Sequence, residues 1–152
     1  RGLVTQKVVA HTALPVLIAK REARPLRRIL ICDSGAQSPS LLKLFRTHLP
    51  ALLAGASDVT VLHVMSQIMR AGTPEGAILE QDLAYLSRME LAVHAKVRHG
   101  LVVDEIVQEA RSDNYDLVVI GAHRDEGLPR FLLDDLAHEL VLAIDRAILV
   151  VR

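Results

Sequence analysis

The 152-residue sequence has little of several residue types, and each shortage excludes a class of protein. Aromatic residues make up only 3%, with no tryptophan, so we expect an aliphatic core and few platforms on which nucleic-acid bases could stack. A single cysteine, Cys32, excludes an internal disulfide framework and a multi-cysteine zinc site. No apolar run approaches the roughly 18 residues that a membrane span requires. With no signal-peptide pattern either, we expect a soluble cytoplasmic protein.

Net charge is also absent, because 18 basic residues balance 18 acidic ones. A dedicated nucleic-acid binder would normally carry a basic excess, so this balance argues against one. The balance is uneven along the chain: residues 1–28 hold seven basic groups and one acid, a charge of +6. The remaining residues therefore carry −6, and the sequence joins a basic leader to an acidic body.

What the chain does have is apolar material, 51% of its residues, arranged in alternating periodicities. Short apolar or β-branched runs predict strands, and apolar residues at helical spacing predict helices between them. From residue 28 the order is β-α-β-α-β-α-β-α-β, which predicts an α/β fold with a doubly wound parallel sheet and right-handed crossovers. The predicted strands are 28–32, 59–64, 91–98, 117–120 and 147–151, and the predicted helices are 38–49, 78–89, 102–110 and 131–143.

The first twenty residues precede this pattern and resemble its end. Shifted by 132 positions, residues 4–20 lie over 136–152 without a gap, and both segments have the pattern of a helix, a turn and a strand. Only Val9 and Leu17 are identical to their counterparts, so the shared pattern carries more weight than identity. We interpret residues 1–20 as the tail of a preceding copy of the domain. The alternative is an ordinary N-terminal helix–strand extension.

This interpretation divides the chain into three parts. Residues 1–20 form the helix–strand remnant, 21–27 a basic, proline-containing linker, and 28–152 a complete domain. The remnant strand and the last strand, Ala147–Val151, are both apolar edges that proteins normally cover. We expect one or both to pair across an interface, or with each other.

Ligands of doubly wound sheets bind beyond the carboxyl ends of the strands, where the strand order reverses. Two polar loops fall there in this sequence: Asp33-Ser34-Gly35 after the first predicted strand, and residues 121–135 after the fourth. A glycine-containing loop that enters a helix can hold phosphate with backbone N–H groups and the helix dipole. These two loops are therefore the candidate anion-binding region.

Several segments together resemble the universal stress protein (UspA) family: RILICDSGAQS, TVLHVM, and above all NYDLVVIGAHR followed by LAHELV and AILVV. The resemblance covers residues 28–152 and, through residues 4–20, a preceding copy. It implies a Rossmann-like five-stranded parallel sheet in the order 3-2-1-4-5, and dimers paired through the last strand. It also implies an ATP site in members that bind nucleotide. The corresponding positions are Asp33, Ser34, Gly35, Val64, Gly121, His123, Arg124, Gly127, Asp134 and Asp135.

The phosphate motif implied by the resemblance is degenerate in this sequence. Its spacing is Gly, two residues, Gly, nine residues, Gly, then Ser or Thr. Gly121 keeps the first position, but Arg124, Asp134 and Asp135 replace the other three. A carboxylate about 4 Å from a phosphate charge opposes binding by about 4 kcal/mol at an effective dielectric of 20. Asp33 also falls one place early for its adenosine-contacting role, so Ser34 is the alternative.

Other interpretations of these residues remain open. Asp134 and Asp135 could cap the last helix, or Mg²⁺ could bridge them to phosphate. A divalent site built from His123, Asp125, Asp134 and Asp135 matches no strong motif, so we expect none. We interpret His63 as a hydrogen-bonded core histidine and Cys32 as a small buried hydrophobic residue. His94 and His99 are predicted at the surface.

The sequence contains no paired acid and base and no nucleophile with an orienting partner, so we do not expect an enzyme beyond weak ATP hydrolysis. The favoured function is a stress-response-type regulatory or interaction module with weak or lost ATP binding and no bound cofactor. The alternative is an ATP-binding protein with a modified, Mg-assisted site. Under either function, the expected partner of the chain is a second copy or a preceding domain, paired through the last strand. We expect no nucleic-acid partner and no membrane partner. That interface comprises Ala147, Ile148, Leu149, Val150 and Val151.

Overall fold

The computed structural model describes residues 15–20, 25–32, 55–65, 84, 92–121 and 130–151, with backbone alone at 65 and 130–136. Six strands and two long helices lie in these ranges. The strands are β1 (Val16–Ile18), β2 (Arg28–Cys32), β3 (Asp58–Met65), β4 (Ala92–His99), β5 (Leu117–Gly121) and β6 (Ala147–Val151). The helices are α1 (Val102–Ser112) and α2 (Arg130–Ala143). The predicted helices 38–49 and 78–89 lie outside the described residues, apart from the helical Ala84.

The strands form one sheet in the order β1-β6-β5-β2-β3-β4. The five strands from β2 to β6 are all parallel to one another. Numbered from β2, they follow the expected order 3-2-1-4-5, so the predicted α/β class is confirmed. The difference is the sixth strand. β1 adds to the free side of β6 in the antiparallel direction, with Leu17 opposite Leu149.

Both faces of the sheet are covered, which explains the continuous apolar runs of β2, β5 and β6. One face packs against α1 and α2, and we call it the helix face. Its buried strand residues are Leu30, Leu62, Val118, Ile120, Ile148 and Val150. The opposite face has its own buried strand residues: Ile29, Ile31, Val59, Val61, Leu117, Val119, Leu149 and Val151. These two layers form the hydrophobic core.

The expectation of a purely aliphatic core was wrong at one position. Tyr115 is only 1% exposed and packs with the helix-face residues. Its hydroxyl finds a partner in Glu109, which is how a buried phenol normally satisfies its polar end. The described part of the core therefore includes an aromatic side chain, held by a polar contact.

Helix α1 follows β4 after a tight turn at Gly100, whose φ of +146° is a conformation that side-chain-bearing residues rarely adopt. A Cβ at this position would also lie 2.8 Å from the Glu105 carboxylate. Asp104 and Glu105 occupy the first turn of α1 and Arg111 its last turn, as the helix dipole favours. The turn thus brings the acidic side of α1 back over β4.

Candidate functional site

The candidate site lies where the strand order reverses. From β2 the sheet continues to β3 on one side and to β5 on the other. Cys32 pairs in register with Leu62 and with Ile120, so the carboxyl ends of the three strands lie at one edge. In doubly wound sheets this reversal opens a crevice that receives ligands. The carboxyl ends of β2, β3 and β5 therefore lie at the edge where the sequence predicts a ligand site.

Two of the predicted nucleotide-contacting residues lie at this edge. Val64 is the second-last residue of β3, and Gly121 ends β5 beside Val151. Both are half-buried, as is Cys32 at the end of β2. Asp33, Ser34, Gly35, His123, Arg124 and Gly127 lie outside the described residues. The segments that carry them begin at Cys32 and Gly121, on adjacent strands of the same edge.

The position of Asp134 and Asp135 corrects one sequence interpretation. Helix α2 begins at Arg130, and its first turn contains no acidic residue. Asp134 and Asp135 therefore lie in the second turn, so the suggestion that they cap the last helix was wrong. In an α-helix only the first four N–H groups lack an internal partner, since later ones bond the carbonyl four residues back. The two positions that the family motif assigns to Gly and Ser thus lie within the hydrogen-bonded helix.

The described structure also contains an ionic cluster that sequence reasoning missed. It joins β4 to α1 and centres on Glu109, whose side chain is only 3% exposed. The Glu109 carboxylate accepts hydrogen bonds from Lys96 Nζ at 2.7 Å, Arg98 Nε at 3.0 Å and Tyr115 Oη at 2.9 Å. Arg98 also donates to Glu105 at 3.1 Å. Burial alone would raise the pKa of Glu109, but these donors outweigh it and lower the pKa.

A pattern in the sequence could have revealed this cluster. Basic residues recur at every second position of β4, at His94, Lys96 and Arg98, so they share one face of the strand. Glu105 and Glu109 are four residues apart and share one face of α1. A strand followed by its crossover helix brings two such faces together. Because Arg98 pairs in register with Val64, the cluster reaches the strand beside the candidate site.

A second ion pair fixes the amino ends of the strands. Arg28 makes two hydrogen bonds to the Asp113 carboxylate, at 2.8 and 2.9 Å, and its guanidinium lies 5.5 Å from the Tyr115 ring centre. The hydrogen bonds from Arg28 lower the pKa of Asp113 to about 2. Asp116 accepts the backbone N–H groups of Arg27 and Arg28. Arg28 is therefore part of the domain's structure, directly after the basic linker of residues 21–27.

The predictions for the histidines and for Cys32 have different outcomes. His63 is buried, at 2% exposure, as expected for a core histidine. His94 and His99 are exposed, as predicted, and His94 Nε2 lies 3.3 Å from the Asp58 carboxylate. Cys32, the last residue of β2, is half-buried rather than fully buried. Within the described residues no group of three or more potential ligands could hold a metal ion.

Comparison with known proteins decides the family. Residues 25–152 match the model of the universal stress protein family. The chain belongs to the universal stress protein family. No curated protein sequence matches the chain. The family model begins three residues before the domain boundary predicted at residue 28.

Solved structures of universal stress proteins share this fold. A universal stress protein in complex with cAMP aligns with a TM-score of 0.62 and 18% identity, covering 85% of this chain and 98% of its own. A family member from Arabidopsis thaliana with AMP bound aligns with a TM-score of 0.60 and 11% identity, covering 82% of this chain and 90% of its own. At such identities the likeness shows the fold alone.

A longer structure matches more of the chain. A universal stress protein from Archaeoglobus fulgidus aligns with a TM-score of 0.71 and 13% identity over 98% of this chain, but over only 53% of its own. This chain therefore spans about half the length of that relative. The alignment takes in almost the whole sequence, the N-terminal residues included, whereas the two shorter structures leave about 15% to 18% of it unmatched.

No helix in the described part of the chain combines the length and apolar character needed to cross a membrane.

Proposed function

We propose that this chain is a cytoplasmic, non-enzymatic regulatory module of the universal stress protein family in which ATP binding is weak or lost. The carboxyl edge of the sheet supplies the location of a nucleotide site, with Val64 and Gly121 at the ends of their strands. The chemistry of a phosphate site is altered at Arg124, Asp134 and Asp135. The module then acts through contacts with other protein domains.

The observation that carries this proposal is the start of α2 at Arg130. A phosphate site uses backbone N–H groups that the helix leaves unpaired at its first turn. Asp134 and Asp135 lie beyond those groups, so their N–H groups serve the helix. Each also adds a negative charge where the family motif has an uncharged residue, and like charge disfavours polyphosphate.

Isothermal titration with Mg-ATP tests the proposal, with a variant that restores the family motif as the positive arm. We expect the parent chain to bind in the millimolar range or not at all. Arg124→Gly/Asp134→Gly/Asp135→Ser should bind at least tenfold more tightly, a gain of about 1.4 kcal/mol or more. The matched control is Asp104→Asn/Glu139→Gln, which removes two exposed carboxylates elsewhere and should leave affinity unchanged.

The same titration decides the alternative, an ATP-binding protein with a Mg-assisted site. Structures of other family members are named as complexes with cAMP and AMP, which favours testing those nucleotides alongside ATP. Low-micromolar affinity of the parent for Mg-ATP, lost on removing Mg²⁺, would overturn the weak-binding proposal and establish the alternative. Product analysis in the same samples would detect any hydrolysis.

We further propose that residues 1–20 are the end of a preceding copy of the domain, which pairs with residues 28–152 through the last strand. The antiparallel contact of β1 with β6 supports this, as does the alignment of almost the whole chain with half of a longer family member. The sequence upstream of residue 1 in the complete protein is the test. It should contain a second universal-stress-type domain, and an unrelated sequence there would refute the pairing of copies.

A further inference from the structure

Strand β4 is the outermost described strand on its side of the sheet, and we call its side away from β3 the β4 edge. The strand pairs with β3 along its whole length, from Ala92 opposite Asp58 to His99 opposite Met65. None of its eight residues is buried, whereas β2, β5 and β6 each have three or four buried residues. An edge strand directs a row of backbone N–H and C=O groups away from its sheet, where another extended segment can add.

The side chains along the β4 edge are basic on one face of the strand. The strand contains no acidic residue, and His94, Lys96 and Arg98 alternate along the face that meets α1. On the other face, Val93 and Val97 pack against the core. Side chains of neighbouring strands lie beside each other on the same face. A strand added at the β4 edge would therefore meet basic groups at every second position and aliphatic groups between them.

These basic groups have acidic partners within the chain, but in each pair the basic side chain is the more exposed member. The exposed fractions are 43% against 3% for Lys96 and Glu109, 27% against 17% for Arg98 and Glu105, and 55% against 23% for His94 and Asp58. Among the described residues Lys96 donates one hydrogen bond, to Glu109, whereas an ammonium group has three donors. A chain that approaches the β4 edge therefore meets nitrogen donors before it meets the deeper carboxylates.

The same side chains oppose pairing of β4 with β4 of a second copy. In an antiparallel pair centred on Lys96, this residue would lie opposite Lys96 of the second copy, and His94 would lie opposite Arg98. Like charges directly opposite each other destabilise a strand pair, and lysine on an edge strand is a common protection against such association. An acidic strand reverses the sign of these contacts, so the β4 edge distinguishes its partners by charge.

We propose that the β4 edge is a docking site for an extended acidic segment of a partner protein, which adds to the sheet as a further strand. Backbone hydrogen bonds to β4 supply affinity, as in other cases of strand addition. Acidic side chains at every second position contact Lys96 and its neighbours on the basic face, and apolar residues between them lie beside Val93 and Val97. This inference rests on the proposed function as an interaction module and gives the chemistry of its partner.

Peptide binding to the full chain, without nucleotide, tests the proposal. The probe is a fluorescein-labelled peptide that alternates glutamate and valine, and fluorescence anisotropy measures its affinity. We expect it to bind at least about tenfold more tightly than each of three control peptides. The first has lysine in place of glutamate and tests charge. The second has the same residues in two blocks and tests alternation. The third is N-methylated at alternate residues and tests the backbone hydrogen bonds of a strand.

Two further measurements locate the bound peptide. Lys96→Gln removes one positive charge from the β4 edge and should weaken binding about fivefold, the effect of an exposed ion pair. The matched control is Arg111→Gln, which removes one exposed positive charge from the last turn of α1 and should change the affinity by less than about twofold. In the parent chain, hydrogen exchange of the backbone amides of residues 92–99 should slow when the peptide binds, a result that depends on no variant.

Several results would overturn the proposal. They are equal binding of any control peptide, equal loss in the two variants, exchange that slows only outside residues 92–99, or association of the parent chain with itself through those residues. The ATP titration uses a different ligand and other residues, so a failure here is distinguishable from a failure of the weak-binding proposal.

Discussion

The buried Glu109 carboxylate gives the sharpest test of how this domain is held together. It is 3% exposed and accepts hydrogen bonds from Lys96, Arg98 and Tyr115 at 2.7 to 3.0 Å. Replacing it by glutamine preserves the size of the side chain and removes its charge. We predict that Glu109→Gln lowers the free energy of unfolding by about 2 kcal/mol at pH 7.

The magnitude follows from the exposure of the partners. Two of the three hydrogen bonds come from cations, and each such bond contributes about 1.5–3 kcal/mol. The glutamine oxygen retains part of this through neutral hydrogen bonds. Lys96 is 43% exposed and Arg98 27%, so water can solvate both when the carboxylate is gone. The loss is therefore smaller than the roughly 3–5 kcal/mol typical of a fully buried ion pair.

Urea unfolding of parent and variant between pH 7 and pH 3 measures this effect. The native pKa of Glu109 lies below its ordinary value of 4.5, so its stabilisation is complete above that value. As pH falls through the native pKa the stabilisation disappears, and the difference between parent and variant should shrink. Glu139→Gln, an exposed change on α2, should shift stability by less than about 0.5 kcal/mol. A difference below that value at pH 7, or one constant down to pH 3, would refute the reasoning.

Three further predictions concern single contacts. Asp113→Asn should lower the free energy of unfolding in urea by at most about 1 kcal/mol, because solvent partly screens the ion pair between Asp113 and Arg28. This loss should vanish as pH falls from 3.8 toward about 2. Burial raises the pKa of Tyr115 to about 12, so ultraviolet titration of the native protein should show one phenol ionising only near that pH, a signal absent from Tyr115→Phe. On α2, Leu140→Ala should cost about 2–5 kcal/mol, whereas Leu142→Ala, 66% exposed, should change stability by less than about 0.5 kcal/mol.

The strands were the most predictable part of the fold. Continuous apolar runs identified β2, β5 and β6, because a sheet covered on both faces requires apolar residues at every position. The start of α1 at Val102 also followed from its apolar spacing and its first-turn acids, whereas its end at Ser112 lies two residues beyond the predicted one. The order of the five parallel strands came from the family resemblance rather than from the residues. Periodicity predicts whether a segment is a helix or a strand, whereas the order of the strands depends on which faces of these elements pack together.

The antiparallel addition of β1 could be predicted only as one of two options. The apolar edges at residues 14–19 and 147–151 each needed a partner, and the sequence does not say whether that partner is in the same chain. The structure pairs them within the chain, centred on Leu17 and Leu149. Register of this kind depends on which side chains pack inward, here Val16 and Ile18, and a three-residue strand carries too little pattern to specify it.

The sequence places the candidate site at the carboxyl edge of the sheet, and that placement stays a prediction. Strand ends and loop glycines gave its location, because the carboxyl edge of a parallel sheet is set by topology. The start of α2 at Arg130 was missed by one residue, yet that boundary places Asp134 and Asp135 in the second turn. A helix boundary depends on local hydrogen bonds that apolar spacing does not encode. The Glu109 cluster was missed because its members come from two elements and each looked like an ordinary surface charge.

The contacts that stabilise the domain are separate from the residues at the phosphate-motif positions. Glu109 joins α1 to β4, and Asp113 and Asp116 hold the amino end of β2. None of these residues belongs to the phosphate motif at Gly121, Arg124, Asp134 and Asp135. Substitutions in that motif can therefore alter ligand affinity while the scaffold keeps these polar anchors. On this reasoning a degenerate phosphate motif is compatible with an intact fold, and restoring the motif should change affinity far more than it changes the unfolding transition.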